Sequence, residues 1–190
     1  RTVSGGSGGT TSNNHDVVDG FEDRARGDSA EYISPWEAFT YAQSNFDLWA
    51  RGVDANSSEG TNAAFVIGNN YNPGGWSGIG MARTFSEAWA LPEPRSEWSN
   101  IWFAFDFRET NVKSGTLTMK VEDNRTPDAG AIEYTTAYSS GGWVTISNKL
   151  SNFATSAYPG TFNSNAITKL TVMLQCGTQT GVYFCSFDNI

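Results

Sequence analysis

Histidine, basic residues, cysteine and long apolar runs are all scarce in this sequence, and each scarcity removes a class of function. Histidine occurs once, at His15, inside a polar tract. That excludes a His-rich metal centre and leaves no base for a Ser-His-Asp triad. Twelve Lys and Arg against 20 Asp and Glu give a net charge of −8, with a pI near 4.5. Binding to phosphate needs a basic field, so nucleic acid and anionic membrane are excluded as partners, whereas a neutral polymer is compatible. No run approaches the roughly 18 apolar residues that span a bilayer, and the opening residues lack the apolar core of a signal peptide. The chain is therefore expected either to be cytosolic or to have lost its signal. Arg1 in place of Met, followed by a polar tract, points to a piece excised from a longer protein.

What is abundant is aromatic side chain and glycine. Phe, Trp and Tyr make up 14% of the 190 residues, with seven Trp, and there are 20 Gly. A chain of this length reads as one all-β domain with many turns. The segment Ile101-Trp-Phe-Ala-Phe-Asp-Phe107 shows the governing pattern: Ile101, Phe103, Phe105 and Phe107 on one face, Trp102, Ala104 and Asp106 on the other. A period of two marks a strand, and four large apolar side chains on one face demand a partner layer. The expected fold is an antiparallel two-sheet β-sandwich, a jelly roll.

Residues 1–15, rich in Gly, Ser, Thr and Asn, read as a flexible linker tethering a domain that spans 16–190. Strands are expected at 16–23, 62–67, 76–85, 101–107, 115–123, 131–138, 142–146, 166–176 and 182–187; Pro35 to Leu48 is ambiguous between a helical turn and a loop leading to a strand around Phe46 to Ala50. If 170–176 and 182–187 form a hairpin, Cys176 falls on the face of Leu170, Val172 and Leu174, and a disulfide to Cys185 in an oxidising compartment is expected. Two buried free thiols are the alternative.

Paired carboxylates are the one catalytic constellation open to the sequence. Glu122 and Glu133 flank a predicted hairpin turn and Asp106 faces outward nearby, so a small jelly-roll glycoside hydrolase or polysaccharide lyase using Glu122 with Glu133 or Asp106 is an alternative function. A slip of one residue in register would separate the two glutamates, and solvated carboxylates pairing with Lys120 or Arg125 are the simpler reading. A third reading is a structural or adhesive domain without a glycan site.

The two chain ends carry matching signals. Phe21-Glu22-Asp23 near the start and Phe187-Asp188-Asn189-Ile190 at the finish each set acids directly after a core aromatic, and neighbouring terminal strands would bring these hard oxygen ligands together. With Ser58-Glu-Gly-Thr-Asn-Ala63 and Gly142-Trp-Val-Thr-Ile146, they give a chain that resembles the calcium-bearing jelly-roll carbohydrate-binding modules of bacterial polysaccharide-degrading enzymes. The resemblance spans about Asp19 to Ile190. It implies a structural Ca²⁺ held by Glu22 and Asp188, by carbonyls near Glu59 and Gly60, and with Asp19 and Asp23 as further candidates. It also implies a secreted, monomeric, non-catalytic module that binds polysaccharide for an attached catalytic domain.

Sugar rings offer an apolar C–H face with hydroxyls at the edge, so a cleft needs exposed aromatics beside amides and charges. The candidate surface is Trp102, outward by parity, with Trp76 and Tyr71 around a Gly-rich loop and Trp36 and Trp49 near strand ends. Lys120, Glu122 and Gln175 are expected to face out beside them.

Overall fold

The computed structural model describes residues 18–41, 46–71, 77–123, 130–139, 141–155 and 161–190. The expected linker at 1–15, with His15, and the turn at 124–129 lie outside the described residues. The elements are β1 (Gly27–Asp28), α1 (Ala30–Ile33), β2 (Trp36–Tyr41), β3 (Phe46–Asp54), β4 (Ala63–Asn70), β5 (Gly78–Trp89), β6 (Trp102–Glu109), β7 (Gly115–Asp123), β8 (Ala131–Tyr138), β9 (Val144–Lys149), β10 (Ala154–Thr155), β11 (Ile167–Gln175) and β12 (Gly181–Asp188). None of the helices among the described residues is long and apolar enough to cross a membrane.

Two six-stranded sheets face each other, ordered β1-β3-β4-β12-β6-β9 (sheet A) and β10-β8-β7-β11-β5-β2 (sheet B). Every pairing is antiparallel. The chain is a jelly-roll β-sandwich, as the strand periodicity predicts.

The alternation in β6 decides its burial. Phe105 and Phe107 are fully enclosed and Phe103 nearly so, while Trp102 is half exposed. The inward rings join a seam between the sheets: Phe105 stacks on Phe187 at 6.4 Å, and Phe107 meets Phe187 at 5.2 Å and Tyr138 edge-on at 4.9 Å. Against them sheet B sets Leu117, Met119 and Val121 of β7 and Leu170, Val172 and Leu174 of β11. Burying each such side chain contributes about 1.5–3 kcal/mol. At the end of β6, Glu109 is also fully buried, and its carboxylate accepts backbone N–H groups from Asn111, Lys113 and Phe184.

Three local expectations change. The described part of the ambiguous stretch after Pro35 is strand, neither helical turn nor loop: it forms β2 and the start of β3. The described part of the expected first strand, 18–23, is not a strand. The N–H groups of Val18 and Asp19 instead donate to the Ile190 carbonyl at 2.6 and 2.9 Å, and Ile190 N–H returns to Asp19 at 3.0 Å, so the two chain ends are tied directly. The hairpin expected between the cysteine-bearing strands is absent too, because β11 belongs to sheet B and β12 to sheet A. Cys176 and Cys185 are buried free thiols rather than a disulfide. Burial pushes the Cys176 thiol up to about 12, with the Tyr183 hydroxyl partly offsetting it.

Phe105→Ala, by opening a cavity in the aromatic seam, is expected to cost about 3–5 kcal/mol of stability in chemical denaturation. Neither thiol should react with an aromatic disulfide reagent in the native protein near pH 8, because the reactive thiolate is suppressed and access is closed; both should react after unfolding.

Candidate functional site

The sandwich has two outer faces, and the strand order divides the expected surface between them. β6 pairs with β12 and β9, not with β7, so Trp102 lies on sheet A while Lys120, Glu122 and Gln175 lie on sheet B. They do not share a surface. Consecutive strands here cross between layers, and parity along one strand carries no information about that crossing.

On sheet A, Trp102 is 51% exposed with the Lys149 ammonium 5.3 Å from its ring centroid. Trp49, 53% exposed, sits at a bulge in β3 between Leu48 and Ala50. β4 and β12 separate the two. Tyr71 is exposed just past β4. Trp36, expected as an exposed platform, is only 2% exposed and belongs to the core, because its position in β2 points between the sheets. Trp76 lies outside the described residues.

Sheet B is built differently. Its β5 contributes Gly78, Gly80 and Ala82 to the outer face, opposite Tyr41, Phe39 and Glu37 of β2. A methyl group at Gly78 would lie 2.3 Å from the Tyr41 ring, and one at Gly80 would lie 2.5 Å from Met173 Cβ. The glycines thus form a floor on which the Tyr41 ring rests and against which Met173 closes, and any side chain there would push the aromatic rim away. Tyr41 and Phe39 have ring centroids 6.4 Å apart. Along the same face run Gln175, opposite Gly78 and Thr116, and Lys120, opposite Thr171 and Glu133. Glu122 faces Lys169 and Ala131.

The polar side chains of this face are arranged as a network. Lys120 pairs with Glu133 at 3.5 Å and Lys169 with Glu122 at 3.6 Å, and the Thr171 hydroxyl donates to Glu122 at 2.6 Å. Partly exposed pairs of this kind contribute only about 0–1 kcal/mol, so ligand hydroxyls can replace them at little cost. The same register puts Glu122 and Glu133 on one face, as a catalytic pair would require. Lysines hold both, and Asp106 is on the other sheet, where it bonds to Ser58, Thr145 and Asn189.

Tyr41 and Phe39 escape attention in the sequence because residues 35–48 carry two periodicities at once. Read as a strand, Glu37, Phe39 and Tyr41 share a face, and the small residues at 78, 80 and 82 mark the matching trough.

The terminal carboxylates grip one loop. Both oxygens of Glu22 accept the Thr61 N–H, at 3.0 and 2.9 Å, with further donors in the Thr61 hydroxyl and Asn62 N–H. Burial pushes this carboxyl up, but the Thr61 and Asn62 hydrogen bonds outweigh it and leave it below its usual value. Asp188, fully buried, accepts from the N–H and hydroxyl of Ser58, both at 3.0 Å, and burial holds its carboxyl above its ordinary value. The Ser58 hydroxyl also lies 2.6 Å from Asp106, so one proton serves two buried carboxylates.

The expected calcium ligands therefore separate. Asp19 pairs with Arg24 at 2.9 Å, Glu59 and Gly60 are exposed in the loop, and Glu22 accepts from Thr61 and Asn62. Among the described residues no group of three or more His, Cys, Asp and Glu is gathered as a metal site. Asp188 and Asp106, acidic and without a cationic partner among the described residues, fit a hard cation in the chemistry of their donors.

The fold class so defined is a two-sheet jelly roll with a glycine-floored, aromatic-rimmed outer face. In solved structures the same architecture recurs in carbohydrate-binding modules. The chain is similar to a family 11 carbohydrate-binding module from Clostridium thermocellum in complex with a β-1,3-1,4-mixed-linked tetrasaccharide, at TM-score 0.58 and 14% identity, covering 86% of this chain and 91% of that one. It is similar to a family 30 module of a cellulosomal cellulase of Clostridium thermocellum at TM-score 0.53 and 11% identity, over 80% and 88% of the two chains. It also matches part of an exo-β-agarase at TM-score 0.57 and 13% identity, covering 92% of this chain and 25% of the enzyme. No family model and no curated protein matches the sequence. At these identities the likeness is one of fold.

Proposed function

We propose that this domain is a non-catalytic carbohydrate-binding module that holds a β-linked polysaccharide chain along the outer face of sheet B. The observation that carries the reading is the glycine floor of β5, bordered on one side by Tyr41 and Phe39 and on the other by Gln175, Thr171, Lys120 and Glu122. The small residues let the Tyr41 ring lie close to the sheet; that ring, with Phe39, packs on the C–H face of a sugar, and the weak ion-pair network exchanges partners with its hydroxyls. The net charge of −8 suits a neutral chain. Tethered to a secreted catalytic domain, such a module raises the enzyme's local concentration on its polymer with no bond broken.

A structural Ca²⁺ belongs to this proposal. Asp188 and Asp106 would hold it, with the Ser58 hydroxyl beside them, and the ion would supply the positive charge that the two buried carboxylates lack. Bound there, it would pin the 58–62 loop to the last strand.

In affinity electrophoresis over soluble glucans, xylans, mannans and galactans, at least one polymer should retard the protein. Lys120→Ala and Tyr41→Ala should each weaken retention roughly tenfold, equivalent to about 1.4 kcal/mol, whereas Trp102→Ala and Trp49→Ala should leave it unchanged. Retention lost only in the Trp102 variant would move the site to sheet A. Release of reducing ends, abolished by Glu122→Gln, would replace the binding reading with the hydrolase.

Saturating Ca²⁺ should raise the melting temperature over that in chelator by several degrees, since binding at about 100 times Kd adds about 2.7 kcal/mol. Asp188→Asn should remove the difference; an equal melting temperature with and without Ca²⁺ in the wild type would remove calcium from the proposal.

A further inference from the structure

The outer face of sheet A carries two aromatic rings to which the fold gives no task. Trp49 is 53% exposed and Tyr71 54%, and among the described residues neither side chain meets another ring, a cation or a hydrogen-bonding group. A bulge turns Trp49 outward. In register with β4, Leu48 stands opposite Gly68 and packs on the core, Ala50 stands opposite Ile67, and Trp49 is the extra residue between them. Bulges re-aim side chains and are enriched beside functional sites. This one places an indole in water, where it forgoes much of the burial that stabilises a large apolar side chain.

Strand alternation supplies the ground around the two rings. Val66 is core, so Ile67 and its cross-strand partner Phe184 face outward beside Trp49, and Phe65 braces Phe184 edge-on at 5.8 Å. The next outward row holds Asp47, Asn69 and Val182, and Tyr71 follows just past the end of β4. By the ordinary spacings of a sheet, the row of Trp49, Ile67 and Phe184 is about 10 Å wide, and Tyr71 stands about 13 Å from it along the strand. Of the side chains on these rows only Asp47 is charged.

Size and chemistry narrow the occupant. The rows cover about 130 Å² in projection, against about 800 Å² per side in a specific protein interface, so they do not fit a folded protein or a second copy. With one charge among them they select no ionic partner, whereas Asn69 and Asp47 between the rings suit hydroxyls, which both donate and accept. Rings spread in two directions match chains lying side by side in a plane, with C–H faces turned to the aromatics. In a solid those chains are already ordered, so contact at both rings costs little chain entropy; a dissolved chain must first be straightened over the same span. We infer that the outer face of sheet A is a second binding surface, which holds the flat face of an insoluble neutral polysaccharide through Trp49 and Tyr71, independently of the chain-binding face of sheet B.

The test is depletion of the 190-residue protein from solution by microcrystalline cellulose, chitin, insoluble xylan and insoluble mannan. At least one solid should deplete it saturably, and Trp49→Ala and Tyr71→Ala should each lower the partition coefficient roughly tenfold. Tyr71→Phe keeps the ring and should bind as the wild type does. Both positions are exposed, so unchanged melting temperatures should show that the variants remain folded. Tyr41→Ala and Lys120→Ala should leave depletion by the solid intact, which separates this surface from retention on soluble polymers. Depletion by none of the solids, wild-type depletion in both alanine variants, its loss in Tyr41→Ala or Lys120→Ala, or a concentration-dependent dimer abolished by Trp49→Ala would each overturn the inference.

Discussion

The aromatic seam between the sheets is the constraint on which everything else depends. Phe105, Phe107 and Phe187 of one layer pack together and, through Phe107, against Tyr138 of the other, and once those rings are enclosed the alternate residues of β6 are turned to the opposite face.

The two outer faces differ because their strands differ in side-chain size. Sheet A carries Phe65 and Phe184 in edge contact at 5.8 Å, with Ser58 of the 58–62 loop bonded to Asp106 and Asp188 at one end. Sheet B carries Gly78, Gly80 and Ala82 in a row, and Tyr41 packs over the first of them and Met173 over the second. Exposed tryptophan is the more visible sign of a sugar platform in a sequence, yet Trp102 and Trp49 stand apart on sheet A, whereas the less conspicuous Tyr41 packs directly on Gly78 of sheet B.

The carboxylates show how context changes the role of a residue type. Glu122 and Glu133 share a face but are each held by a lysine, and Asp19 is taken by Arg24. Glu22 and Asp188 hold the 58–62 loop from its two ends through backbone N–H groups, a task that asks for acceptors whether or not a cation joins them. Asp106 and Asp188 form a buried acidic pair that shares the Ser58 hydroxyl.

By itself the sequence determined the all-β sandwich, the inward set of β6, β7 and β11, the outward parity of Trp102, Lys120, Glu122 and Gln175, and the acidic charge balance. These follow from period and composition, which are local and additive. Tertiary structure alone decided which strands are neighbours: that β6 and β7 lie in opposite sheets, that Cys176 and Cys185 are not hairpin partners, that Trp36 is core, and that Tyr41 rests on Gly78. Strand pairing is settled by burial summed over residues far apart in the chain, and alternation along a single strand fixes its sides without naming what lies beside it.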